Sequence, residues 1–180
     1  MDYKIYSAVL LLAAASFSAA AASNTAPSIG SLVNERLSWM KDVAGYKALH
    51  HQAIEDLKQE KKVLESAVAD AEALGIRGES VKPFIQAQMD AAKAIQYRYR
   101  ADWLPAPEAN WHPRPLDEVR YQISQLSDQI LKTMAERLNA GARLTERDKD
   151  EFINAIQQKN LHEQDKQRIW NAMKEITLKR

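Results

Sequence analysis

The sequence predicts an all-α fold: one domain, built as a helical bundle of five to six helices. Three observations carry that expectation. Apolar residues recur at spacings of three and four along successive stretches, so each stretch buries one face of a helix. The stretches are separated by glycine and proline, at Gly75, Gly78, Gly141 and the four prolines between Trp103 and Pro115. No segment shows the strict alternation of a half-buried strand. At 180 residues, with 46% hydrophobic and 27% charged, the chain can form one sizeable core.

Residues 1–22 read as a leader rather than as fold. Met1 to Lys4 is a short head with one lysine, Ile5 to Phe17 is rich in Ala, Leu and Val, and Ala20-Ala21-Ala22 supplies a small-residue cleavage site before Ser23. The apolar run is shorter than the roughly 20 residues a membrane anchor needs. The expectation is a cleaved signal peptide over 1–22, a mature domain over 23–180, a periplasmic or secreted location, and no membrane association once mature. The absence of cysteine suits an exported protein without disulfides, and it excludes thiol catalysis and thiolate metal sites.

The helices follow in order. The first runs from about Ile29 to Leu49, with Ile29, Leu32, Val33, Met40, Val43 and Ala44 on its core-facing stripe. A second periodicity passes through Ile54, Leu57, Val63, Leu64, Val68, Ala71 and Leu74; no proline or glycine separates it from the first, so one long helix and two helices with a turn near His50 remain open. Ser80 is placed to cap a third, with Pro83 in its first turn and Phe84, Ile85, Met89, Ala92, Ile95 and Tyr99 facing inward. After the proline-broken loop, Leu116, Val119, Ile123, Leu126, Ile130, Leu131, Met134 and Leu138 mark a fourth. Thr145 with Asp148 forms a capping box for a short helix through about Gln158, and a last helix covers about Glu163 to Leu178.

Several of these inward stripes carry polar groups. Arg36 continues the Leu32/Val33 row, Lys47 the Val43/Ala44 row, Gln96 follows Ala92, and Arg120 adjoins Val119. Eleven residues at about 100° each bring Lys47 to within about 20° of Arg36, about 16 Å further along the axis. A cation in a core is costly unless it meets an anion. Acidic partners are scarce, Asp56 and Glu60 being the nearest. Two readings stay open: a buried network of Arg36, Arg120, Asp56 and Glu60, or a dry pocket with excess positive charge for a small dicarboxylate, which the planar guanidinium fork suits.

Other chemistries are poorly represented. His50 and His51 are adjacent and diverge if helical, while His112 and His162 are isolated, so no metal site is assigned. There is no serine–histidine–acid arrangement and no glycine-rich phosphate loop. A net charge of +1, unchanged by loss of the leader with Asp2 and Lys4, gives no field for nucleic acid. Tyr97-Arg98-Tyr99-Arg100 reads as a helical edge rather than a nucleic-acid site.

The words Asn34-Glu-Arg36-Leu, Met40-Lys-Asp-Val-Ala, Tyr46-Lys47, His50-His51, Ile54-Glu55-Asp56, Pro83-Phe84-Ile85 and Met89-Asp-Ala-Ala-Lys-Ala-Ile-Gln96-Tyr-Arg-Tyr resemble the secreted, gamma-class chorismate mutases across nearly the whole mature chain. The resemblance implies conversion of chorismate to prephenate, a one-substrate rearrangement without a cofactor, in a homodimer whose pockets each lie within one chain. It implies that Arg36 and Arg120 bind the two substrate carboxylates. Lys47 and Gln96 would donate to the ether oxygen, and the Asp56 backbone and Glu60 carboxylate would hold the hydroxyl. Two positions depart from the family pattern. Gln59 stands where an arginine is usual, and Ala92 where Ser or Thr is usual. Lys62, one turn on, and Lys58, on a different face, are the cations considered as substitutes. The departures leave a second reading: a weakened or non-catalytic relative that binds an acidic metabolite or a host partner.

Overall fold

The computed structural model describes residues 27–180; the leader assigned to residues 1–22, and the first residues of the domain placed at 23–180, lie outside them. Among the described residues there are seven helices: α1 (Ile29–Ser38), α2 (Met40–Leu49), α3 (Leu57–Ala73), α4 (Gly78–Trp103), α5 (Leu116–Asn139), α6 (Glu146–Ala155) and α7 (Glu163–Lys174). The count exceeds five to six because the first expected helix is interrupted at Trp39, whose ψ of −10° tightens one turn. Counted as one kinked rod, α1 and α2 leave six helical units.

The chain does turn after His50. His51 adopts a positive φ of 52°, and Gln52 N–H donates back to the Lys47 carbonyl at 2.8 Å. Asp56 then caps α3 by accepting from Gln59 N–H at 3.0 Å. Leu57 therefore sits at the exposed start of α3 rather than on its buried stripe. Helix α4 begins two residues before the expected cap. Ser80 lies inside its first turn, and its hydroxyl donates to the Arg77 carbonyl at 2.6 Å. The capping box of Thr145 and Asp148 is present, but α6 stops at Ala155 because Ile156 is extended. Helix α7 likewise stops at Lys174. The tail beyond it, with β-branched Ile176 and Thr177, pairs Leu178 against Ile76 in an isolated antiparallel bridge.

Helix α4, 26 residues long, packs on α2, α3 and α7, while α1 packs on α5 and α6. The core comprises the inner faces of α1, α2, α4, α5 and α7, with Leu37, Phe84, Ile95, Val119, Leu131 and Trp170 almost wholly buried. The proline-rich loop straps across α2. Lys41 pairs with Glu108 at 2.7 Å and lies 4.4 Å from the Trp111 ring, and Arg114 stacks 4.6 Å from Trp39. In the aromatic–basic run, Arg98 bonds Asp165 and the Asn160 carbonyl, both at 2.9 Å, and Arg100 reaches the Gln52 carbonyl at 2.6 Å. These arginines join helices and turns within the chain.

Helices α1 and α6 touch closely at Gly30, where a Cβ would lie 2.9 Å from Ala155 Cβ and 3.0 Å from the Phe152 carbonyl oxygen. Gly30→Ala must spread the two helices, an overpacking cost of about 1–3 kcal/mol that exceeds the gain of about 1 kcal/mol from helix propensity. Thermal denaturation is expected to show a Tm lowered by about 3 °C; an unchanged or raised Tm would contradict the tight α1–α6 contact.

Candidate active site

A cleft opens between α1–α2, the start of α3, the middle of α4 and the start of α5. Each wall brings charge or a hydrogen-bond donor on one turn and an apolar side chain on the next. Met40, Val43, Ile54, Val63, Met89, Leu116 and Ile123 supply the apolar surface, and Arg36, Lys47, Asp56, Gln59, Glu60, Ala92, Gln96 and Arg120 all line it. The residues singled out on separate helices thus share one cavity.

Arg36 is 6% exposed. Its Nε donates to Ser127 Oγ of α5 at 3.1 Å, and Ser127 Oγ in turn donates to the Ile123 carbonyl at 2.8 Å. Its Nη1 is buried and without a partner. Among the described residues no carboxylate lies within ion-pair distance of it, so the buried network with Asp56 and Glu60 does not form. Burial lowers its pKa from 12.5 to about 10. That difference corresponds to about 3 kcal/mol against the charged form. An anion brought to Nη1 would recover much of it.

Lys47 is 7% exposed and donates from Nζ to the Ile54 carbonyl at 2.5 Å. Burial lowers its pKa; Asp56 and Glu60 oppose that effect, and Arg120 and Arg100 add to it. An ammonium has three protons, so donors remain for the cleft. Gln96, 5% exposed, donates from Nε2 to the Ala92 carbonyl at 3.1 Å, with Met40 Sδ at 3.7 Å as a weak second partner. Ala92 is buried, and with no hydroxyl it contributes surface and that carbonyl alone.

The first turn of α3 brings the acidic side of the cleft. The Asp56 carboxylate is committed to capping, while Asp56 N–H donates to Glu60 Oε1 at a long 3.4 Å. Gln59 lines the cleft and its backbone completes the cap. Arg120 departs from its expected interior position. It is exposed, because Val119 takes the buried direction of α5 and Arg120, one residue further round, points to the cleft mouth. Among the described residues it makes no hydrogen bond or ion pair.

Two contributors were not foreseen from the sequence. Lys93 of α4 lines the cleft and places Nζ 2.9 Å from Glu60 Oε2. Neither Lys58 nor Lys62 lines it; Lys62 faces a neighbouring groove between α3 and α5. The signal for Lys93 was its place beside Ala92, three residues before Gln96. Ser127 could have been found as the residue one turn after Ile123 on α5. Among the described residues no group of three or more His, Asp or Glu side chains could hold a metal ion.

Comparisons with known proteins place the chain in a family. Residues 28–97 match the family model for chorismate mutase type II. The chain is 55% identical over 148 residues to the secreted chorismate mutase of Yersinia pestis, covering 82% of this chain and 80% of the relative. It is 40% identical over 172 residues to the monofunctional chorismate mutase of Enterobacter agglomerans, covering 96% and 94%. The crystal structure of the Yersinia pestis secreted enzyme superposes with a TM-score of 0.79 at 53% identity, over 84% of this chain and 97% of that one. A chorismate mutase from Burkholderia thailandensis shares the fold with a TM-score of 0.67 at 17% identity, over 81% and 96%. With identity this high over most of its length, the chain belongs to the type II chorismate mutases.

Proposed function

We propose that the cleft binds chorismate and converts it to prephenate, with the buried, unpartnered Nη1 of Arg36 as the observation that carries the reading. The reaction is unimolecular: one C–O bond breaks as one C–C bond forms, with no proton transfer and no covalent intermediate. The protein therefore contributes by holding the flexible dianion in its compact reactive shape and by stabilising charge on the departing ether oxygen. Arg36 and Arg120 clamp the two carboxylates, one from within the cleft and one from its mouth. Lys47 and Gln96 donate to the ether oxygen from opposite walls. Asp56 N–H and the Glu60 carboxylate hold the hydroxyl. No cofactor enters this scheme.

Export through a leader at residues 1–22, leaving a domain at 23–180, is part of the same proposal. The word "secreted" in the name of the Yersinia pestis relative supports it, and among the described residues no helix is long and apolar enough to cross a membrane. Periplasmic or secreted placement follows from that leader. We also propose a homodimer, for which exposed Leu57, Tyr97, Leu104 and Tyr121 offer apolar surface. Gln59 and Ala92 motivated a non-catalytic relative, but Lys93 of α4 brings a further cation to the cleft, which weighs against that alternative.

Purified protein is expected to deplete chorismate well above the uncatalysed rate, followed by its ultraviolet absorbance. Arg36→Ala should lower kcat/KM by about ten- to a hundredfold, as loss of a charged hydrogen bond costs about 1.5–3 kcal/mol, with the helical circular dichroism retained. No wild-type turnover, or an Arg36→Ala variant as active as wild type, would refute the assignment. The amide of Gln96 donates without needing a proton, so kcat/KM should stay level around neutral pH. At more alkaline pH it should fall, as Lys47, lowered by burial, and Arg36, lowered to about 10, lose charge in the free protein. Gln96→Glu should convert this profile to one that falls as pH rises through the carboxyl's titration; a level profile in that variant would exclude Gln96 from the ether oxygen.

A further inference from the structure

Lys93 is used by nothing in the scheme above, yet its ammonium stands inside the cleft. It projects from α4 and meets Glu60 of α3 at 2.9 Å, its one close carboxylate contact. Asp90 at 3.6 Å and Glu55 at 3.8 Å also face it, but their side chains are 53% and 57% exposed against 19% for Glu60. Exposed pairs at such distances contribute little. The Glu60 carboxylate is thereby fixed at both oxygens, Oε1 by Asp56 N–H at 3.4 Å and Oε2 by Lys93 at 2.9 Å. Its rotamer, and the direction in which it accepts a hydrogen bond, depend on Lys93.

Charge gives an independent reason to look at this lysine. Arg36, Lys47, Lys93 and Arg120 line the cleft against Asp56 and Glu60. Four cations and two carboxylates leave a surplus of two positive charges, the complement of a dianion. Without Lys93 the surplus falls to one, and Glu60, partly buried, repels the ligand without an opposing charge beside it.

We propose that Lys93 is a positioning residue for chorismate turnover. It holds Glu60 in the orientation that accepts the substrate hydroxyl, and it screens that carboxylate so that the cleft keeps its affinity for a dianion. This rests on the chorismate reading of the cleft. The rival role is a structural staple between α3 and α4, which would act on stability alone.

The test measures both turnover and calorimetric binding of a bicyclic dianionic transition-state analogue, on wild type, Lys93→Ala, Lys93→Arg, Glu60→Gln and the Lys93→Ala/Glu60→Gln double variant, with thermal melts alongside. Lys93→Ala is expected to weaken analogue binding and raise KM by about tenfold or more, the scale of one charged hydrogen bond. Lys93→Arg should restore both to within about threefold. In the Glu60→Gln background, where no carboxylate remains to be held or screened, Lys93→Ala should cost less than about threefold. Equal costs in both backgrounds, or a Lys93→Ala variant with lowered Tm but wild-type KM and analogue affinity, would overturn the proposal. A wild type that binds the analogue without turning over chorismate would refute the catalytic reading while leaving Lys93 to be decided by binding. A wild type that does neither would overturn both.

Discussion

The structure depends on a cation buried without a counter-ion. Arg36 is almost wholly enclosed, anchored at one nitrogen by the Ser127 hydroxyl and left open at Nη1, and burial holds its pKa near 10. A fold tolerates such a group only where the surrounding core offsets the cost. Here the offset comes from helices packed on either side of α1, where Val33, about one turn before Arg36, and Leu37, next to it, are fully buried. The strain is located where an anion can relieve it. Any anion that reached Nη1 would couple its own binding to stability by removing that penalty.

The remaining cleft residues form a graded set around that point. Lys47 is held in a buried position by the Ile54 carbonyl just before α3, so the turn that follows His50 orients the ammonium. Gln96 is steadied by the Ala92 carbonyl one turn earlier on α4. Asp56 stops the chain and starts α3, and in doing so places Glu60 and the helix N-terminus at the cleft. Arg120 stays in solvent at the mouth. The inner polar groups of the cleft are thus pre-set by backbone carbonyls and caps, while the outer cation is held by no side chain among the described residues. That division suits a reaction whose barrier is lowered by positioning and electrostatics.

Much of the cleft was legible in the sequence because helical periodicity is a strong signal. A cation on a stripe of Leu, Val and Met is conspicuous, and Arg36, Lys47 and Gln96 are buried where their periodicity put them. The turn at His50 was not legible. His51 takes a left-handed conformation with neither glycine nor proline to announce it, and the closing bond uses backbone alone. Arg120 was misplaced because a stripe has edges, and the residue beside Val119 lies over the groove rather than beneath it. Lys93 was missed for a related reason. It lies off the apolar stripe, and only the approach of α3 turns that flank of α4 into a wall.

A crystal structure with a bicyclic dianionic transition-state analogue tests the central claim most directly. The account predicts one carboxylate within hydrogen-bond distance of Arg36 Nη1, the other at Arg120, and the ether oxygen between Lys47 Nζ and Gln96 Nε2, with the Arg36–Ser127 bond kept. An analogue bound elsewhere, or seated in the cleft with Arg36 Nη1 still unpartnered, would contradict it.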